Sequence, residues 1–150
     1  MKKFLLSLVL LACVVRMSAQ AEIKLSPIPL LFGYVAASFE YGFSPSFGLD
    51  GDFYFIEDVS AVSVSAKYYF NPDKGIDKFH VGAFVGAAES APGLGFLLGY
   101  KWVSNKNVLF ELGLGVGRSL DDEVIGYGKF HMGYRFGKKS AKLPATSGSN

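Results

Sequence analysis

The stretch GYVAASFEYGF, Gly33 to Phe43, decides how the rest of the chain is read. Val35, Ala37, Phe39, Tyr41 and Phe43 fall on one side of an extended chain, and Tyr34, Ala36, Ser38 and Glu40 on the other. Side chains alternate across a strand with a period of two, so this is a strand with one apolar face.

Working outward, Ser44-Pro45-Ser46 turns the chain, and Phe47 to Ile56 sets Phe47, Leu49, Phe53 and Phe55 against Asp50, Asp52 and Tyr54. Ser60 to Phe70 sets Val62, Val64, Ala66, Tyr68 and Phe70 against Ser63, Ser65, Lys67 and Tyr69, and Asn71 to Gly75 stops it. Phe79 to Ala88, Leu94 to Trp102, Val108 to Val116 and Val124 to Phe136 repeat the pattern, separated by Gly, Pro, Ser, Asn and Asp. A shorter candidate is Glu22 to Ser26, where Ile23 and Leu25 alternate with Glu22 and Lys24. Pro27 and Pro29 follow it closely, which makes it the weakest strand. No amphipathic helix competes. Bacterial membrane barrels have even strand numbers, so about eight antiparallel strands are expected.

Composition agrees with one oily, glycine-rich β domain. The 150 residues are 50% hydrophobic, 15% aromatic and 19% charged, with 18 Gly, which excludes disorder and disfavours a helical bundle. Lys2 and Lys3, the apolar run Phe4 to Val15 and Ala19-Gln20-Ala21 read as a signal peptide over residues 1–21, cleaved after Ala19 or Ala21. The run is shorter than the roughly 20 residues that span a bilayer as a helix. Leu10-Leu11-Ala12-Cys13 loosely resembles a lipoprotein box, but the apolar run continues past it. Cys13 is the only cysteine, so leader removal leaves no thiol for disulfides, metal ligation or nucleophilic chemistry. Three of the fifteen Lys and Arg also go with the leader, leaving twelve against thirteen acids and no electrostatic footprint for nucleic acid. Residues 22–136 are expected to form the barrel, and 137–150 a disordered polar tail.

Alternation alone does not say which face is wet. Three features point to lipid outside. The apolar faces of the seven strong strands carry no charge, as lipid contact demands when Lys or Arg at mid-bilayer costs about 2–4 kcal/mol. The opposite faces are rich in small residues, as in Gly82/Gly86, Gly95/Gly99 and Gly113/Gly115/Gly117, which suit the cramped lumen of eight strands. Tyr41, Phe43, Phe47, Tyr68, Phe70, Phe79, Tyr100, Trp102, Tyr134 and Phe136 gather beside one set of turns, as an interfacial girdle does. The expected fold is an all-β, antiparallel, up-and-down transmembrane β-barrel in the outer membrane of a Gram-negative bacterium.

Lys67-Tyr68-Tyr69-Phe70-Asn71-Pro72, Gly99-Tyr100-Lys101-Trp102, Leu112-Gly113-Leu114-Gly115 and Gly133-Tyr134-Arg135-Phe136 resemble a family of short outer-membrane barrels of unknown function. The chain is also distantly similar to OmpA-like transmembrane domains. The resemblance covers nearly the whole mature chain and implies a barrel type, not an activity. Phe136 resembles the terminal signal read by the barrel assembly machinery, which would be a partner during biogenesis.

The lumen face collects Glu40, Asp50, Asp52, Lys67, His80, Lys101, Glu111, Lys129, His131 and Arg135. Acids and bases are balanced and lie mostly toward the periplasmic half, so a salt-bridge plug is favoured over a polar pore. Glu111, His131 and Ser63 or Ser65 could form a Ser-His-Glu set of the kind lipid A deacylases use. Parity turns Glu111 and His131 into the lumen, away from lipid, and no catalytic residue is expected. Asp121-Asp122-Glu123, with Glu57, Asp58 and Glu89, makes an acidic outer rim, read as solvated loops and not as a metal site. No cofactor is expected. The role anticipated is a monomeric, non-catalytic barrel with structural or interaction duties, in contact with outer-membrane lipids and lipopolysaccharide. The alternatives are a narrow channel for ions or small solutes, a lipid A-modifying barrel enzyme and a soluble exported ligand-binding barrel.

Overall fold

A computed structural model of the chain describes residues 20–137 except 57, 58, 72, 74, 89 and 90. Residues 1–19 of the expected signal peptide and 138–150 of the expected tail lie outside the described residues, as do Glu57, Asp58 and Glu89 of the expected acidic rim. The elements are β1 (Gln20–Leu25), α1 (Pro27–Leu31), β2 (Val35–Gly42), β3 (Phe47–Ile56), β4 (Val59–Tyr69), β5 (Lys78–Ala88), β6 (Ala91–Val103), β7 (Val108–Ser119) and β8 (Val124–Phe136). Each strand pairs antiparallel with the next, and β1 pairs with β8 to close an eight-stranded barrel. Closure matters physically because it removes the exposed sheet edge on which other chains could template.

Short polar residues close the turns by bonding back to the main chain. Ser44 Oγ accepts from Phe47 N (3.0 Å), Ser104 Oγ from Lys106 N (3.0 Å) and Ser119 Oγ from Asp121 N (3.2 Å). The turns near Ser44, Asn71 and Ser104 share one end of the barrel with Gln20 and Phe136, here called the terminal end. The opposite end holds α1 and the turn after Ser119 and is called the helix end.

The wall is inverted relative to a water-soluble protein. Phe39, Leu98 and Leu112 are 48%, 54% and 45% exposed, whereas Lys67, Lys101 and Glu111 are at most 1% exposed. Among the described residues thirty-four large apolar side chains are exposed and only six apolar ones are buried. Register makes this consistent around the ring. Phe39 faces Gly51 and Glu40 faces Asp50, so a one-residue slip would turn every charge outward.

The aromatic residues form a belt at the terminal end. Ring contacts run Phe43–Phe47 (6.2 Å), Phe47–Tyr68 (5.0 Å), Tyr68–Phe70 (5.0 Å) and Phe70–Phe79 (5.6 Å), and Phe79 is paired with Tyr100 on β6. Tyr100–Trp102 and Tyr134–Phe136 extend the belt to β6 and β8. Tyr41 lies on the same outer face of β2 and pairs with Ala21 and Leu49.

Two features depart from the sequence reading. Among the described residues the ladder already includes Gln20, paired with Gly42, two residues before the expected barrel start. The prolines after β1 open a short helix, because Pro lacks the N–H that a first helical turn leaves unused. That helix has consequences for the seam. The β1–β8 ladder has five rungs and ends at Leu25↔Met132, so β8 from His131 to Val124 is laddered only to β7. The chain leaves the sheet at Ser26, whose N donates to Ala36 O (2.9 Å) and whose Oγ donates to Phe130 O (2.7 Å). Gly33, at φ +81°, then returns the chain to β2.

Candidate functional site

Alternation puts five carboxylates and five cationic groups on inner faces: Glu22, Glu40, Asp50, Asp52 and Glu111 against Lys24, Lys67, Lys101, Lys129 and Arg135, each at most 5% exposed. A buried charge without a partner costs several kcal/mol, so the geometry of pairing is what makes this interior possible. The centre is three carboxylates, Glu40, Asp50 and Glu111, with oxygens within 4.8 Å of one another. Carboxylates so close resemble a cation cradle, and two ammonium groups already fill it. Lys24 Nζ donates to Glu40 (2.6 Å), Asp50 (3.0 Å) and Glu111 (2.6 Å). Lys67 Nζ donates to the same three, at 3.2 Å to Glu40.

Branches run from this centre along the lumen. Toward the helix end Lys129 Nζ bonds Asp50 and Asp52 (2.6 Å to Asp52), and Asp52 also accepts from Tyr127 OH (2.8 Å). Ser38 Oγ donates to Asp50. Toward the terminal end Lys101 Nζ donates to Glu22 (2.7 Å), Glu40 (2.8 Å) and Tyr69 OH (2.8 Å), while Tyr69 OH donates to Glu40. Arg135 Nε donates to Glu22 (2.7 Å), and its Nη2 donates to Ile76 O (2.7 Å).

Ile76 is the stopper of the terminal mouth. It is fully buried although it belongs to a turn, and a Cβ at Gly42 would come within 3.0 Å of it. Gly75 at φ +72° lets the turn fold inward beneath the Gln20 amide, whose Oε1 accepts from Ile76 N (3.3 Å). The lumen is thus closed by an apolar stopper and then by salt bridges.

Toward the helix end the lumen loosens. A cavity of about 270 Å³ is lined by Tyr54, Ala61, Ser63, Phe84, Gly86, Ile125 and Tyr127, with Phe84 and Tyr127 stacked at 5.0 Å. A Cβ at Gly95 or Gly117 would lie 2.8 or 3.0 Å from the Phe84 ring, so these glycines make room for that side chain. A second cavity of about 480 Å³ lies at the β1–β8 seam and shares Tyr54 and Gly128 with the first. A third, of about 680 Å³, is an apolar trough on the wall around Ala66, Ala83, Phe96 and Leu98, away from most of the ionic network.

Of the lumen groups expected from the sequence, Glu40, Asp50, Asp52, Lys67, Lys101, Glu111, Lys129 and Arg135 join the network, and the imidazole of His131, expected in it, does not. His80 and His131 stand apart from it. His80 Nε2 lies 3.5 Å from Glu111 Oε1, and neither ring nitrogen of His131 has a hydrogen-bond partner among the described residues. Glu111 and His131 are directly opposed across β7 and β8, yet the carboxylate is bound by lysines and Ser65 Oγ is unpartnered, so the Ser-His-Glu set is not assembled. Sequence reasoning left out Glu22 and Lys24, although their parity opposite Ile23 and Leu25 was the available signal. Tyr69 and Tyr127 were legible in the same way. Ile76, in a turn, carries no periodicity that could have found it.

Comparison of the chain with known protein families, with characterised proteins and with solved structures finds no match, so the resemblance to short outer-membrane barrels rests on the residues alone.

Proposed function

We propose that this chain is an integral outer-membrane β-barrel, exported by a cleavable leader, whose role is structural or interactive and does not include catalysis. The observation that carries the reading is the inversion of the wall: a closed barrel with ten ionisable groups of balanced sign inside and an apolar surface outside, on which the exposed Arg118 of β7 stands at the helix end. Soluble monomers rarely expose apolar patches beyond a few hundred Å². In a bilayer the same surface is satisfied by acyl chains, and the aromatic belt sits where one end of the barrel meets headgroups. Antiparallel strands closed on themselves also satisfy the backbone without water.

Channel activity is disfavoured by the same interior, since Ile76, Arg135 and the Glu40–Asp50–Glu111 centre lie buried in succession along the lumen. Purified protein in a planar bilayer is expected to be electrically silent, and a steady unitary conductance would replace this role with the channel alternative. The test of placement is flotation of cell membranes on a density gradient with heat-dependent gel mobility of the band. Recovery in the soluble periplasmic fraction, with no mobility shift, would defeat the proposal.

The leader is proposed to end at Ala19. Cleavage there retains Gln20 and Ala21, which pair with Gly42 and Tyr41, and Ala21 also faces Phe136. Cleavage after Ala21 would delete those rungs and the contact between Gln20 and Ile76. Intact mass of the membrane-extracted protein distinguishes the two.

A further inference from the structure

The two halves of β8 meet different surroundings on the β1 side. From Phe136 to Met132 the strand is laddered to β1, and from His131 onward it faces only the segment through Ser26 and α1. In hydrocarbon an unpaired strand edge is tolerated only where it is covered by protein or lines a cavity. The cavity of about 480 Å³ is found at this edge, and that volume is in the range of about 300–1,000 Å³ typical of small-molecule sites. Its lining changes character through the wall. Ile28, Leu112, Leu114 and Phe130 form an apolar side, and Tyr54, Lys129 and His131 form a polar one.

Two further observations indicate an occupant. Gly126 and Gly128 point outward beside the seam, opposite Val116 and Leu114 of β7, and a Cβ added at either would meet nothing within 4 Å. The wall is therefore bare where its neighbour carries aliphatic side chains. His131 lines the polar side at 1% exposure with both ring nitrogens unpartnered among the described residues, and Tyr54, which lines the same cavity, has a hydroxyl likewise without a partner among them. Buried polar groups are normally hydrogen-bonded, so this pair stands ready for a ligand that supplies what the chain does not.

We propose that the seam binds one long-chain fatty acid, with its tail in the trough along Leu112, Leu114 and Phe130 and its carboxyl group passing between β8 and α1 to Tyr54 and His131. A carboxyl group both donates and accepts, which matches a phenol hydroxyl and an imidazole. A phosphate headgroup fits less well. The one ammonium group at the site, Lys129, is already held by Asp50 and Asp52. The inference rests on the membrane-barrel reading, because only a bilayer delivers such a ligand sideways.

The test uses the mature full-length protein in phosphatidylcholine vesicles with radiolabelled palmitic acid. Saturable binding of one palmitate per chain is expected, weakened about tenfold or more by Gly128→Leu, which fills the trough, and by His131→Phe, which removes the polar end. Ala83→Leu, in the separate wall trough, is expected to leave binding unchanged. No saturable binding by protein that retains heat-dependent mobility overturns the site and leaves the barrel reading standing, as does equal binding by both seam variants. Phosphatidylcholine retained in place of palmitate in native mass spectra also overturns the fatty-acid assignment. Loss of the mobility shift in the parent protein overturns both readings together.

Discussion

The terminal half of the lumen and the helix half are built from the same strands, yet ionic pairs crowd the first and cavities open in the second. In the terminal half Glu40 is approached by Lys24, Lys67, Lys101 and Tyr69, and the mouth is stopped by Ile76. Beyond the centre, from His131 opposite Glu111 toward the helix end, both nitrogens of His131 and Tyr54 OH have no hydrogen-bond partner among the described residues, cavities open, and β8 loses its neighbour on one side. The contrast teaches where the molecule spends its stability. Ionic pairing is densest toward the end that carries the aromatic belt, Gln20 and Phe136, and the cavities open toward the other.

The largest effect should come from breaking the centre of the tight half. Lys67→Met leaves Asp50 and Glu111 short of a cation in a dry interior, and loss of one partner of a buried ionic cluster costs about 3–5 kcal/mol. Urea titration of the barrel in vesicles, followed by heat-dependent mobility, measures it. Adding Asp50→Asn to Lys67→Met restores the charge balance, so the double variant should be less destabilised than the two single changes added together. A single variant within about 0.5 kcal/mol of the parent would mean that the centre is wet and that the two halves do not differ in kind.

Next in size is a change on the outside of the wall. Leu98 lies at mid-height between Val81 and Leu114, and Val124 lies at the helix end. Arginine at mid-bilayer costs about 2–4 kcal/mol and near an interface about 0–1 kcal/mol. Leu98→Arg should therefore destabilise the vesicle-embedded protein clearly more than Val124→Arg by the same titration. Equal small effects at both positions are what a water-exposed wall would give.

How far the sequence could be read follows the same division. Period-two alternation exposed seven strands and the inner face of each, because the outer face of each is consistently apolar while the inner one mixes small, polar and charged residues, and that was enough to identify Lys67, Lys101, Glu111 and Arg135 as enclosed. Strand parity gives a face but no height. The meeting of Lys24 with Glu111, eighty-seven residues apart, depends on closure and stagger, which no local pattern encodes. Pro27 and Pro29 pointed correctly to the end of β1 but not to a helix over the seam. Gly126 and Gly128 look like any other glycines of the chain, and only the shortness of β1 beside a long β8 gives their outward position a meaning.

The finest comparison sets one tyrosine from each half against the other. Tyr69 OH donates to Glu40 and accepts from Lys101, and hydrogen bonds to charged groups contribute about 1.5–3 kcal/mol, so Tyr69→Phe should lower the unfolding free energy by that order. Tyr54 OH is buried without a hydrogen-bond partner among the described residues, and removing an unsatisfied group relieves a desolvation cost, so Tyr54→Phe should be neutral or slightly stabilising in fatty-acid-free vesicles. The same substitution should weaken palmitate binding. A residue whose hydroxyl contributes nothing to folding but something to a ligand has a functional reason for being there. If Tyr54→Phe instead destabilised the ligand-free barrel as much as Tyr69→Phe, that hydroxyl would belong to the structural network and the helix half would be as closed as the terminal one.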